Sequence, residues 1–329
     1  GGFIGPFFAG IFMQKSWDYV FYMSMVTIGL NFLITLFFFK EPQIQNNKVS
    51  LGKNIAQAFY NIWVTLKNWR YVLFLLIMVV FWAAFNQLYY SFPVFIEQWV
   101  DSSEIYKGIE SVWPWLAHSI GTAEGTITTV TLTSMDSFFI IVFQIAVSAL
   151  VMRFKPLSAM MGGILVLSGG LMMMFSTQSG WMILLGILIF GLGEMSSSPK
   201  FTEYVGRIAP PDKKALYMGT SFLPYAGGHA LAGWLSGDIY EKTSDKIYLL
   251  QKEIAKRGIS LPEISETYSK NDFFNEAAAK MVMTKQELTN FIWAEYHPSN
   301  IWLVYSGVAV LSVVLLFVYD RFILRRQQN

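Results

Sequence analysis

The chain has 329 residues, 54% hydrophobic and 17% aromatic, with 14% charged and a mean hydropathy of +0.42. Soluble domains carry about a quarter charged residues, and this chain holds repeated apolar runs of about twenty residues, the length that spans a bilayer, so a soluble fold is excluded and an all-α membrane protein expected. A formal charge of +2 and the lack of cysteine give no electrostatic footprint for nucleic acid and rule out disulfides and thiolate metal sites.

The chain opens inside an apolar segment, GGFIGPFFAGIF, without an initiating Met, and is read as a piece of a longer protein. Residues 1 to about 13 read as the second half of a membrane helix, with glycines that permit close packing. A turn at 14–18 leads into a span over about 19–39, which ends at Lys40-Glu41-Pro42. Residues 42–70 form a polar connector. Within it Ser50 can cap a helix whose apolar side is Leu51, Ile55, Phe59, Ile62, Trp63 and Leu66, and whose polar side is Lys53, Asn54, Gln57 and Asn61. Such a helix lies on the membrane surface.

The next span, about 71–96, carries Asn86 and Gln87 among aromatics in FWAAFNQLYYSFPVF. Residues 97–131 read as an exposed acidic loop, weakly strand-like over TAEGTITTVTLTS. A span from about Ser134 to Arg153 has Asp136 at its mouth, in a solvated position. Two glycine-rich spans follow, 157–175 and 181–199, then a basic loop at 207–214 and a span over about 215–237. The loop at 238–298 has a helical pattern over 247–257 and 272–296, with Thr284-x-x-Glu287 as a capping box. The last span, about 300–319, ends in Asp320, Arg321, Arg325 and Arg326. About eight spans result. The basic segments all fall on one side of them, which predicts a cytoplasmic C-terminus and an external 238–298 loop.

Glu194 lies in an apolar run with no other charge from Trp181 onward. An ionisable group within a membrane span is costly and by default marks a pathway or a proton site. Ser198-Pro199 is expected to interrupt that helix, and Pro224 with Gly227-Gly228 to break the next apolar helix. Paired broken helices beside a carboxylate are how carriers build a solute site near the midplane.

Gly193-Glu194-Met195, Ser198-Pro199, Val205, Ala209-Pro210, Met218-Gly219, Phe222-Leu223, Ala226 and Gly228 follow one another in a spacing that resembles the proton-coupled oligopeptide transporters of the major facilitator superfamily. FWAAFNQ resembles the family's Phe-Trp-x-x-aromatic-Glu-Gln, with Asn86 in place of its glutamate. Ser221 stands where the family has Trp, His229 where it has Asn, and Ser16 where a turn glycine is usual.

The resemblance implies a major facilitator helical bundle of twelve or more spans. Residues 1–40 would then be the last two helices of the N-terminal bundle, the first of them partial. Residues 41–70 would be the cytoplasmic connector, and 71–329 the C-terminal six-helix bundle with its long outer loop. It also implies symport of di- and tripeptides with protons across the cytoplasmic membrane, with no cofactor and the proton gradient as energy source. Glu194 would be the countercharge to the peptide ammonium. Its companions at the substrate site are Ser198, Asn86, Gln87, Trp82, Ser221 and His229. The family's Glu-x-x-Glu-Arg coupling motif does not occur in this chain.

No P-loop, Rossmann glycine pattern, His-Glu-x-x-His or cysteine metal spacing occurs, and no second catalytic group stands beside Glu194, so the protein is not read as an enzyme. Two other readings fit the residues. A facilitator carrier for an amino acid, nucleoside or sugar accommodates Asn86, Ser221 and His229. A non-transporting subunit or sensor accommodates the long loop.

Overall fold

Apolar chain in lipid must satisfy its own backbone N–H and C=O groups, which a helix does within one segment. The computed structural model describes residues 2–40 and 51–324, and its regular elements there are helices. Helix α1 is Ile4–Met13. The Ser16 hydroxyl, accepting from the Asp18 N–H at 3.2 Å, caps α2, Trp17–Phe38. Helix α2 buries none of its residues and leans chiefly on α1. An apolar helix without a polar face has lipid or another membrane helix as its natural surroundings.

The connector helix is present as α3, Leu51–Leu66, and exposes Ile55, Phe59 and Trp63. Its expected cap, Ser50, lies outside the described residues, as do Glu41, Pro42, Arg325 and Arg326. The Asn68 side chain then caps α4, Trp69–Phe85.

The expected 71–96 span is found but stepped. After α4 come α5, Gln87–Tyr90, and α6, Phe92–Trp99, with steps at Asn86 and Ser91. Pro93 has no N–H to offer the Tyr89 carbonyl, which favours a step one turn before it.

The expected loop at 97–131 proves to be partly helical. It contains α7, Ser103–Val112, and α8, Pro114–Ile120. The Ser102 hydroxyl donates to the Ile127 carbonyl at 3.1 Å and accepts from the Ile127 N–H at 3.0 Å, pinning the loop's two ends. The Thr- and Val-rich stretch that reads as strand enters α9, Thr129–Val151, because Thr128 caps it through the Thr131 N–H. Capping and apolar length override β propensity here.

Helix α10 is Pro156–Phe175 and α11 is Gly180–Ile208. They meet backbone to backbone: a Cβ on Gly193 would lie 2.6 Å from the Gly163 carbonyl oxygen. Any side chain at 193 would wedge the pair apart. Helix α11 runs through Pro199 without the expected interruption. One missing hydrogen bond in a 29-residue helix packed on its neighbours does not end it.

The next membrane segment is divided. Helix α12, Lys214–Thr220, ends at Ser221, and α13, Leu223–Trp234, continues from Phe222. The break thus falls before Pro224, and Gly227-Gly228 stay helical. They are the surface on which α4 packs: a Cβ at Gly227 would sit 2.9 Å from Val79 Cγ2. A π-helical turn, Leu235–Ile239, leads to α14, Tyr240–Ser244.

The long loop is a folded cap of three helices, α15 (Lys246–Arg257), α16 (Lys270–Lys280) and α17 (Lys285–Tyr296). Leu250, Ile254, Phe273, Ala277, Leu288 and Ile292 form its core. Capping boxes start α16 at Ser269/Asp272 and α17 at the expected Thr284/Glu287. The final span is α18, Ile301–Val318.

Six helical segments among the described residues are long and apolar enough to cross a membrane. The other two of the expected eight are the ten-residue α1 and the divided α12–α14 segment, which are shorter or broken.

Candidate functional site

Positions 190, 194 and 198 of α11 stand one above another at i, i+4 spacing. Phe190 packs on Phe85 at the end of α4, with ring centroids 5.5 Å apart. Glu194, one turn on, is half-buried and its Oε2 has no hydrogen-bond partner. The Ser198 hydroxyl below it is also buried and unpartnered.

Across from this face lies Asp136 of α9. It is 1% exposed, and neither of its carboxyl oxygens has a partner. Gly191 makes the space: a Cβ there would stand 3.0 Å from Asp136 Oδ1. Gly191 and Glu194 stand at i, i+3 on one face of α11, so Asp136, set against Gly191, is a neighbour of the Glu194 carboxyl across the α9–α11 contact. Two ionised carboxylates offer only acceptors, so a bond between them requires a proton on one.

Aromatic rings close the surroundings. Trp82 stacks on Tyr225 of α13 with centroids 3.8 Å apart and planes 28° from parallel. The Tyr225 phenol lies in the field of Glu194, and the Tyr89 phenol in the fields of Glu194 and Asp136. Tyr89 also borders a 260 Å³ cleft with Pro6, Pro93, Thr133 and Ser137. The indole N–H of Trp82 and the side-chain NH₂ of Asn86 are buried without acceptors. A buried polar group without a partner costs about 1–3 kcal/mol, so each one calls for an explanation beyond the fold.

The candidate residues therefore divide. Glu194, Trp82, Asn86 and Ser198 each hold an unpaired buried polar atom. Gln87 does not. Its amide donates to the Ala83 carbonyl at 3.0 Å and to Ala232 of α13 at 3.4 Å, and its carbonyl accepts from Ser91 Oγ at 2.7 Å. It is an interhelical tie. Ser221 returns its hydroxyl to the Met218 carbonyl at 2.7 Å, within its own helix end. His229 is exposed, with Nδ1 3.3 Å from the Tyr90 hydroxyl.

Asp136 is the residue that sequence reasoning misplaced. Its span begins at Thr129 rather than near 134, so the carboxyl lies about two turns inside the helix and is enclosed. Two signals pointed to it: Thr128 as a cap, and Gly191 three residues before Glu194.

The model of the Major Facilitator Superfamily matches residues 1–233. The chain belongs to the major facilitator superfamily. No curated protein and no solved structure gives a match. The matched region contains α1–α12 and most of α13, and hence both carboxyl groups and every aromatic ring of the site. As a facilitator the protein is a multi-pass membrane transporter of small molecules. The cap, α15–α17, lies beyond the matched region.

Proposed function

We propose that this facilitator is a proton-coupled symporter of di- and tripeptides. The observation that carries the reading is Glu194: a carboxylate inside a membrane helix, with an unpartnered oxygen, whose field reaches the Tyr225 phenol that stacks on Trp82. A carboxylate in such surroundings wants a cation, and a peptide ammonium supplies one without a permanent buried partner. The spacing around Glu194 that resembles the peptide symporters supports the same solute. Trp82 Nε1, Asn86 Nδ2 and Ser198 Oγ offer donors to the peptide's carbonyl groups.

In this reading residues 1–40 end the N-terminal bundle, the connector with α3 is cytoplasmic, and residues 71–329 form the C-terminal bundle. The basic residues of the short loops support a cytoplasmic C-terminus and an external cap, in the cytoplasmic membrane.

The test is uptake of labelled dialanine by the full-length protein in proteoliposomes with an inward proton gradient. Wild type accumulates the dipeptide. Glu194→Gln removes the ion pair with the ammonium, a loss of about 2–5 kcal/mol for a buried charged contact, and uptake falls roughly a hundredfold with expression intact. Uptake of amino acids or nucleosides in preference to dialanine would replace the peptide reading with another solute. Wild-type rates in Glu194→Gln would remove Glu194 from the site.

A further inference from the structure

We propose that Asp136 and Glu194 form a proton-holding carboxyl pair, in which Asp136 keeps the proton when a substrate ammonium engages Glu194. The inference rests on the symporter reading and names the proton site that reading requires.

The geometry separates the two groups. Asp136 is enclosed at 1% exposure with both oxygens unpartnered, whereas Glu194 is half-buried. Glu194 keeps an exposed part that a cation can reach, whereas Asp136 is enclosed against Gly191. Among the described residues no ion pair joins either carboxyl to Lys, Arg or His. The phenol of Tyr89 lies in the field of both carboxyls, and that of Tyr225 in the field of Glu194. Helices α1 and α10, which pack beside α9 and α11, contain no titratable residue, and α4 has its only charge, Arg70, at its far end.

Two like charges side by side in an apolar, uncompensated site do not both stay ionised. With one shared proton the pair carries a single negative charge, and one ammonium neutralises it. With a single carboxylate, proton and ammonium would compete for the same oxygens, which is the logic of exchange. A second carboxyl lets both be held at once, as cotransport in one direction requires. The proton comes from water on one side and returns to water on the other, and no bond other than O–H is made or broken.

Two measurements on the full-length protein test this. The first is the infrared difference spectrum of purified wild type, Asp136→Asn and Glu194→Gln at neutral pH, with and without dialanine. Wild type should show the carbonyl stretch of a buried protonated carboxylic acid, retained when dialanine binds, and each substitution should remove or shift it. The second is transport in proteoliposomes. Asp136→Asn should lose gradient-driven accumulation, while dialanine counterflow, which needs no net proton movement, falls less.

A missing band in wild type, a band unchanged in both variants, or wild-type accumulation by Asp136→Asn would each overturn the pair. An inward proton gradient that slows dialanine uptake would overturn it too, since the site would then exchange. Should wild type not carry dialanine at all, the peptide reading falls, and the infrared bands still decide the pair.

Discussion

Two regions of this molecule bury a carboxylate, and they treat it in opposite ways. In the cap, Glu253 is 2% exposed, receives Arg257 Nε at 2.5 Å and accepts the Tyr296 hydroxyl at 2.8 Å. Burial pushes its carboxyl up, and the Arg257 and Tyr296 bonds outweigh this, holding it below the usual carboxylate range. In the bundle, Asp136 is as deeply enclosed and Glu194 half so, yet three of their oxygens have no partner among the described residues. The first arrangement holds α15 to α17. The second does nothing for the fold, which loses free energy by it. A buried polar group that is fully bonded is explained by architecture; one left unbonded at this cost calls for another explanation.

The widest difference should appear on removing each carboxylate. Glu253→Ala leaves a half-exposed guanidinium and a buried phenol without their acceptor, and should destabilise the cap by about 2–4 kcal/mol. Glu194→Gln should leave stability unchanged or raised, since it deletes an uncompensated acid. Amide hydrogen exchange over α15 and α17, against that over α10 and α11, measures both. Equal loss of protection in the two variants would mean that Glu194 holds the fold as Glu253 does.

This contrast also marks what the sequence disclosed. Glu194 was legible because a lone acid in an apolar run is conspicuous. Trp82 and Asn86 were legible because the motif around them resembles a known one. Nothing local separates Asn86 from Gln87, since both are amides in the same aromatic stretch. Gln87's bonds to Ala83 and Ser91 lie within its own span, and its bond to Ala232 of α13 is tertiary information.

Asp136 was hidden by a boundary. Thr and Val around it favour strand, and only the Thr128 cap draws the helix start back far enough to enclose it. The cap helices were legible from their periodicity and from the Thr284/Glu287 box. Their docking was not, because Gln98, Trp99 and Asp245 come from distant segments: Gln98 Nε2 meets Asp245 Oδ2 at 2.7 Å and Trp99 Nε1 meets the Ser244 carbonyl at 2.9 Å.

The two neighbouring amides give a smaller and sharper version of the comparison. Gln87→Ala strips the Ala232 carbonyl and the Ser91 hydroxyl of a partner in a buried place, and should cost about 1–3 kcal/mol. Asn86→Ala removes an NH₂ that bonds to nothing, and should change stability by less than about 0.5 kcal/mol while lowering dialanine affinity. Thermal unfolding in detergent and binding measured side by side would show the split. If Asn86→Ala destabilised the protein as Gln87→Ala does, its side chain would have an architectural partner and would leave the site.

The smallest effect concerns the one cation that the cap encloses against aromatic rings on two sides. Lys246 Nζ lies 5.1 Å from the Trp99 ring centre and 5.0 Å from that of Phe274, and donates to Thr289 Oγ1 at 3.1 Å. These contacts do not replace all its lost water, and burial lowers its ammonium to about 8. An unfolded lysine titrates near 10.4. Between those two values the unfolded chain binds more protons than the folded one, so the folded cap gains stability as pH rises through that window. Below about 8 both states are charged and the cost of burying the ammonium is present in full. Lys246→Met keeps the apolar stem, removes the charge, and should abolish this part of the pH slope while raising cap stability near neutral pH. Denaturant midpoints followed by Trp293 fluorescence, on both sides of the window, compare the two proteins. Parallel slopes would show that Lys246 keeps its water in the folded cap, and that the cap resembles the bundle less than its rings suggest.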